Sequence, residues 1–168
     1  AVPMIELVSI GSGGGSIARV VDGRLQVGPQ SAGAAPGPAC YDKGGTEPTV
    51  TDADVVLGYY DPDRFLGGRM VLKKDRAIAA IQSKIAEPLG ISVEEAAWQI
   101  KQTVDTDIGR SLGQILRDAG KDPAEFTLLA CGGAGPSHAC GYADAAGIPR
   151  ILTFPFGSVF NAYGASRM

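Results

Sequence analysis

The sequence has 168 residues, 45% of them hydrophobic and 20% charged, a balance typical of a globular chain with an ordinary core. A formal net charge of −3 implies no basic face for nucleic acid, and no apolar run is long enough to span a membrane. Three cysteines without a CxxC spacing predict free thiols and a cytoplasmic location.

The first part of the chain predicts strands joined by glycine-rich turns. Alternating apolar residues in Met4–Ile10 indicate a strand, which the sequence GSGGGS follows. The pair Asp22 and Gly23 lies between two short β runs and predicts a hairpin with a type I′ turn. After a long irregular loop, DADVVLGYYDP indicates a short helix with Asp52 or Asp54 at its N-terminus.

A first amphipathic helix is predicted in the segment DRAIAAIQSKIAEPLG. The spacing of Ile78, Ile81 and Ile85 places these side chains on one helix face, so the face is expected to pack against a core. Pro88 and Gly90 are expected to end this helix.

A second, much longer helix follows. Ser92 and Glu95 have the spacing of a capping box, and apolar residues then recur every three or four positions. Gly120 supplies a C-terminal stop. The pattern predicts one long helix, with Gly109 or Gly113 as the place for an interruption.

The last third predicts a β-loop-α-β unit. FTLLAC indicates a buried strand, GGAG a turn, PSHACGYADAAG a helix and PRILTFPF a second strand. Pro136 lies in the first turn of the helix, where its missing N–H costs least.

The segment CGGAGPSHACG allows three interpretations. Cys131, His138 and Cys140 are ligands that zinc accepts, although zinc favours four ligands and Cys40 is distant in sequence. Cys131 and His138 would also suit a thiol–imidazole catalytic pair. Otherwise the cysteines are small core residues, His138 lies near a ligand or partner, and the glycines bring backbone N–H groups to a ligand.

Two glycine-rich turns, GSGGGS and CGGAG, each follow a predicted strand, and together they favour a nucleotide cleft. Neither turn fits the dinucleotide or Walker patterns. In TVTDAD, Asp52 is a candidate catalytic residue: it and Asp54 are suited to bind Mg²⁺ through water, orient a substrate or act as a base. The alternative role of Asp52 is a helix N-cap.

Longer segments of the sequence resemble one family in order. IGSGGGSIARVVDGRLQVGPQSAGAAPGPACYDKGGTEPTVTDADVVLG, then FLGGRM and LLACGGAGPSHACGYADAAGIPRI, resemble the hydantoinase A / 5-oxoprolinase superfamily. They are most similar to the ATP-binding subunits of acetone and acetophenone carboxylases. The resemblance implies a mixed α/β, partial actin/hexokinase-like ATPase fold, which is ribonuclease H-like, with an inserted helical part.

The resemblance also implies how residues 1–168 are organised, as a single partial domain that is the C-terminal part of the ATPase core. Residues 1–60 form its strand and glycine-loop part, residues 73–120 its helical part and residues 126–168 its adenosine-binding part. The family's Asp-Gly-Gly-Thr phosphate loops are missing here, so the chain is expected to hold about half of an ATP site. Either the sequence is a fragment or a partner chain completes that site, and the isolated chain is expected to be inactive.

The function that the resemblance implies is that of a carboxylase subunit which hydrolyses ATP, with Mg²⁺, to activate a ketone or bicarbonate by phosphorylation. Its partners would be other carboxylase subunits or the missing part of the same polypeptide, and its substrates a small carbonyl compound and bicarbonate. The alternatives are a hydantoinase/5-oxoprolinase-type amidohydrolase subunit and a non-catalytic assembly module. No residue is assigned to a metal. The cofactor-binding residues that the resemblance assigns are Gly13, Gly14, Gly15, Ser16, Gly132, Gly133, Ala134 and Gly135.

Overall fold

A computed structural model describes residues 7–166 of the chain. The described part mixes helices with short strands, which confirms the predicted mixed α/β class. Its elements, in chain order, are β1 (Ser16–Val21), β2 (Arg24–Ser31), α1 (Val50–Leu57), α2 (Lys74–Ile81), α3 (Glu87–Leu89), α4 (Val93–Asp118), β3 (Thr127–Leu129), α5 (Gly135–Ala146), β4 (Arg150–Leu152) and α6 (Phe160–Ala165).

The predicted hairpin is confirmed. Strands β1 and β2 pair antiparallel, with Val21 opposite Arg24 at the turn. Asp22 and Gly23 have φ values of 51° and 73°, the left-handed conformation that a type I′ turn requires at both positions.

The predicted strand Met4–Ile10 is not observed where the structure describes it. Met4–Glu6 lie outside the described residues, and Leu7–Ile10 have no regular secondary structure. Leu7 is 89% exposed, and no described strand pairs with this segment, so alternation alone was a misleading signal here.

Helix α1 begins two residues earlier than Asp52, and the predicted cap was therefore wrong. Thr49 is the N-cap: its side chain accepts a hydrogen bond from the Asp52 backbone N–H, and the Asp52 carboxylate accepts one from the Thr49 N–H. This reciprocal capping box satisfies two N–H groups that the first turn would otherwise leave unpaired. Asp54 lies in the middle of the helix.

The predicted helix around Ile81 is confirmed, but it does not stop at Pro88. After α2, the chain widens into one π-helical turn, Gln82–Ala86, before α3. Proline lacks an N–H and its ring crowds the carbonyl four residues earlier, so a wider turn before Pro88 relieves that clash. Gly90, with φ 67°, ends the helix in the left-handed conformation.

Helix α4 is continuous through both of its glycines, so the predicted interruption does not occur. The glycines instead let α5 approach closely. A Cβ on Gly109 would lie 2.5 Å from the Tyr142 carbonyl oxygen, and one on Gly113 would lie 2.9 Å from that of Ala146. Ser92 caps the start of α4, as predicted, by accepting a hydrogen bond from the Glu95 N–H.

The β-loop-α-β unit is present, with β3 and β4 paired in parallel and α5 between them. The prediction of a buried strand was wrong, because β3 has only three residues and Leu129 is 55% exposed. Within the described residues these two strands form a sheet by themselves, and no further layer covers Leu129.

The principal core lies where α1, α2, the π-helical turn and α4 meet the hairpin. Fully buried side chains there include Val50, Val55, Ile81, Ile85 and Ile100. Trp98, on α4, is 41% exposed and lies outside this core. No helix within residues 7–166 is both long and apolar enough to cross a membrane.

Candidate functional site: a cleft between two glycine-rich turns

The two glycine-rich turns, more than 100 residues apart in sequence, meet at one cavity of about 870 Å³. Gly14 and Gly15 lie on one side of this cavity, and Gly133 and Ala134 line it as well. We call this cavity the cleft. The rest of its lining consists of Tyr41, Thr51, Tyr60, Phe65, Leu66, Gly67, Arg69, Ser158 and Val159.

The other four predicted cofactor-binding residues do not line the cleft. Gly13 and Ser16 brace the first turn, since the Ser16 Oγ accepts a hydrogen bond of 3.0 Å from the Gly13 N–H. Gly132 has φ 92° and donates its N–H to the Gly157 carbonyl, while Gly135 begins α5. These residues shape the turns from behind the surface that a ligand would meet.

The structure leaves room for a side chain at Gly133 but not at Gly14, which lies across the cleft. A Cβ on Gly133 would meet no atom within 4 Å, and the backbone there is not left-handed. A Cβ on Gly14 would lie 2.7 Å from the Thr51 Oγ1. Gly14 is therefore required by packing, whereas packing within this chain gives no reason for glycine at 133.

One part of the cleft lining is aromatic. The ring centroids of Tyr41 and Tyr60 each lie 5.8 Å from that of Phe65, in tilted arrangements that are favourable for aromatic pairs. Arg69 is the one charged side chain in the described lining, and it is exposed. The sequence analysis assigned neither Arg69 nor the aromatic residues to a site, because only the fold brings them together.

Helix α1 holds the first glycine-rich turn through Thr51. The Thr51 N–H and Oγ1 donate hydrogen bonds of 2.8 Å and 2.9 Å to the Gly14 carbonyl. This double contact joins the start of α1 to one side of the cleft.

Asp52, the predicted catalytic residue, is fully buried behind the cleft. Its carboxylate accepts hydrogen bonds from the N–H groups of Ala39 and Cys40, at 3.2 and 2.7 Å, and two more from Thr49. These bonds fix the chain just before Tyr41. A catalytic role for Asp52 stays a prediction, while the geometry favours a structural role.

His138 is buried between two carboxylates. Its Nδ1 lies 2.5 Å from the Asp105 Oδ1 on α4, and its Nε2 lies 3.0 Å from the Asp54 Oδ2 on α1. Lys101 donates a hydrogen bond of 2.6 Å to the other oxygen of Asp105. We call these four residues the buried ionic network. The sequence did not reveal it, because its partners are up to 84 residues apart.

The zinc and thiol–imidazole interpretations of CGGAGPSHACG find no support in this geometry. The hydrogen-bond partners of His138 are aspartates, and no group of three metal-ligating side chains occurs in residues 7–166. Cys131 is half-buried and Cys140 is exposed, so neither is the core residue that was predicted. Burial, together with the nearby Asp52 carboxylate, raises the pKa of the Cys40 thiol and keeps it protonated at neutral pH.

Comparison with known proteins identifies the class of this chain. A family model described as hydantoinase/oxoprolinase matches residues 1–166. The chain therefore belongs to the hydantoinase/oxoprolinase family, as the sequence motifs indicated.

Two individual relatives show which enzymes of the family the chain is similar to. The chain is 52% identical to the acetophenone carboxylase gamma subunit of Aromatoleum aromaticum, over 99% of its own length and 23% of the relative's. It is 48% identical to the caprolactamase subunit alpha of Pseudomonas jessenii, over 97% of the chain and 24% of the relative. The chain thus spans about a quarter of the length of each of these two relatives.

Two solved structures of the family have the same fold as this chain. The crystal structure of the ATP-dependent caprolactamase of Pseudomonas jessenii matches with a TM-score of 0.86 at 48% identity, over 97% of this chain and 24% of that one. A nucleotide-free structure of acetone carboxylase matches with a TM-score of 0.83 at 36% identity, over 91% and 22%. The predicted ATPase-like fold of the family is thereby confirmed.

Proposed function

We propose that the cleft binds the adenosine part of ATP, and that the chain is part of an ATP-dependent carboxylase subunit. The observation that carries the proposal is the meeting of two glycine-rich turns at one cavity with aromatic walls. Aromatic rings suit a purine base, and glycine leaves backbone N–H groups and space for a ligand. Two ATP-dependent relatives, the acetone carboxylase and the caprolactamase, share the fold.

In this proposal the protein positions ATP so that phosphoryl transfer activates a ketone or bicarbonate. Gly133 and Ala134 lie at the N-terminus of α5, where the helix dipole favours an anionic ligand. Arg69 supplies a positive charge at the rim. The remaining contacts, and other subunits, would come from parts that the matched quarter of the relatives does not include.

Mg²⁺ does not fit the residues present. The described lining of the cleft contains no carboxylate, and Asp52 and Asp54 are both fully buried. A metal that accompanies ATP would rest on the phosphates and on groups outside this lining.

A second candidate is an ATP-dependent amidohydrolase subunit. The 48% identity to the caprolactamase subunit alpha is close to the 52% identity to the acetophenone carboxylase subunit. The same cleft would serve either enzyme, because the difference lies in the acceptor of the phosphoryl group. ATP hydrolysis stimulated by a ketone with bicarbonate indicates a carboxylase, and stimulation by a lactam indicates an amidohydrolase.

The sharpest test of the cleft is Gly133→Val in the intact protein, with Mg-ADP binding measured by calorimetry. The open space around Gly133 means that valine fits the unliganded fold while occupying the space of a ligand. We expect the melting temperature to stay near that of the wild type and the affinity to fall by at least tenfold.

Gly164→Val is the matched control, because a Cβ at Gly164 also meets no atom within 4 Å and this residue does not line the cleft. Its affinity should equal that of the wild type. If Gly133→Val binds Mg-ADP as well as the wild type, the cleft is not the adenosine site. If the wild type does not bind Mg-ADP, the result favours a non-catalytic assembly role.

A further inference from the structure

Helix α1 is connected to both glycine-rich turns through residues on one of its faces. Thr51 binds the Gly14 carbonyl through two hydrogen bonds. Asp54, three residues later and hence on the same helix face, binds His138 on α5. Because the second turn leads directly into α5, its position relative to α1 depends on the contact between Asp54 and His138.

That contact has no substitute within the described residues. Asp54 is fully buried, its Oδ1 has no hydrogen-bond partner, and the His138 Nε2 is the sole partner of its Oδ2. A buried carboxylate without a partner is strongly unfavourable, so loss of His138 would push Asp54 toward water or toward another donor. Either movement separates α1 from α5.

The charges of the network balance in only one protonation state of the histidine. An ionised carboxylate accepts hydrogen bonds and donates none, so contacts to Asp54 and Asp105 require both ring nitrogens to donate. Only the imidazolium form donates from both. With Lys101 paired to Asp105, two positive charges then match two negative charges.

We propose that protonated His138 is a positioning residue, which holds the turn Gly133–Ala134 against α1 and thereby sets the width of the cleft. Binding of a nucleotide in the cleft rests on the proposed function, whereas the positioning of the turn by His138 does not depend on it. His138 itself is buried and does not line the cleft, so it acts through the turn.

The pH dependence follows from the surroundings of the ring. Burial lowers the pKa of His138, but the hydrogen bonds that the ring donates to Asp105 and Asp54, with the negative charges of these carboxylates, outweigh burial and raise the pKa to about 9, from an ordinary 6.5. Stabilisation by the charged ring is complete below pH 6.5, declines above it and is lost as the pH rises through about 9.

Two further titratable groups face the network. Burial raises the pKa of Tyr142, on α5, and the neighbouring Cys131 and the Asp105 carboxylate add to the rise. Burial raises the pKa of Tyr60 as well, with the Asp54 carboxylate adding to it. Both phenols therefore stay neutral across the range in which His138 titrates.

The test is His138→Gln in the intact protein, with Mg-ADP affinity measured by calorimetry from pH 6.5 to 10 at a temperature where both proteins are folded. The wild-type affinity should fall about tenfold between pH 7 and pH 10, because roughly one molecule in ten keeps the charged ring one unit above its pKa. Glutamine satisfies only one carboxylate at a time, so the variant should bind more weakly at pH 7 and show no such pH dependence. A purely stabilising histidine would change the melting temperature and leave the affinity of the folded protein unchanged.

Asp107→Asn is the matched control, since Asp107 is an exposed residue of α4 two positions after Asp105, and it should keep the wild-type pH profile. If His138→Gln does not fold, Asp105→Asn replaces it, with the same expected loss of pH dependence. A variant with wild-type affinity and pH profile overturns the proposal.

Amide exchange of residues 132–135 without nucleotide separates this inference from the proposed function. If the wild type does not bind Mg-ADP, the proposed function fails, but faster exchange of these amides in His138→Gln would still support the positioning role. Unchanged exchange in that variant would overturn it.

Discussion

The two sides of the cleft are built differently. The first side rests on α1, in which Val50 and Val55 are fully buried and Asp52 alone accepts four hydrogen bonds. The second side rests on the short strands β3 and β4, and Leu129 and Leu152 are 55% and 46% exposed. The first side is held by the chain's own core, whereas the second has little core of its own.

What positions the second side is therefore its contact with the helices rather than its sheet. Helix α5 packs closely on α4 at Gly109 and is linked to α1 through His138. A substitution on the first side should act through stability alone, whereas one at the contact between helices should also move the second side of the cleft.

The largest effect is expected on the first side, from Asp52→Asn. The amide keeps the shape of the side chain but removes the charge and turns a donor toward backbone N–H groups. Because four buried donors lose a charged acceptor, the free energy of unfolding should fall by about 3 kcal/mol or more. Chemical denaturation of the purified variant measures this change.

The control is Asp63→Asn, an exposed aspartate in the loop after α1. Its unfolding free energy should stay within about 0.5 kcal/mol of the wild type. If Asp52→Asn were equally mild and instead abolished ATP hydrolysis, the catalytic role predicted from the sequence would be the better account of Asp52.

Features with local sequence signals were predicted, whereas contacts between residues far apart in sequence were missed. The hairpin at Asp22 and Gly23 and the long helix from Ser92 were predictable, because their signals are local: turn chemistry, a cap and a repeat of apolar residues. The two glycine-rich turns were also predicted, and the structure brings part of each to one cavity.

The roles of Asp54 and His138 were not predictable from pattern. His138 lies 33 residues from Asp105 and 84 from Asp54, and nothing in the spacing of single polar residues indicates that three helices meet there. The capping box was missed because Asp52 was considered as the cap itself, while Thr49 holds that position. The exposure of β3 was missed because an apolar run was taken as a buried strand.

An intermediate effect is expected at the contact between helices, from Gly109→Ala. Alanine favours a helix over glycine, so a loss of stability would have to come from packing. The added Cβ would lie 2.5 Å from the Tyr142 carbonyl oxygen and equally near the Ala145 Cβ, which forces α5 away from α4. Overpacking of this kind costs about 1–3 kcal/mol, and calorimetric melting should show it.

Gly164→Ala in α6 provides the comparison, because its Cβ meets open space. It should leave stability unchanged or raise it by up to about 1 kcal/mol. Equal behaviour of the two variants would mean that α4 and α5 are not in close contact, and the account of the second side would then fail.

The smallest effect is expected from Thr51→Val, which removes one of two hydrogen bonds that hold the first turn. The Gly14 carbonyl keeps the Thr51 N–H as a donor, so no buried group is left without a partner. The free energy of unfolding should fall by about 1 kcal/mol, and Mg-ADP affinity should change little. Thr103→Val is the control: the Thr103 hydroxyl donates to the Gln99 carbonyl within α4, and Thr103 does not line the cleft. A large loss of affinity in Thr51→Val would instead show that the Thr51 hydroxyl contacts the ligand. Nucleotide binding would then depend on a single polar residue on the first side of the cleft, as it depends on His138 on the second.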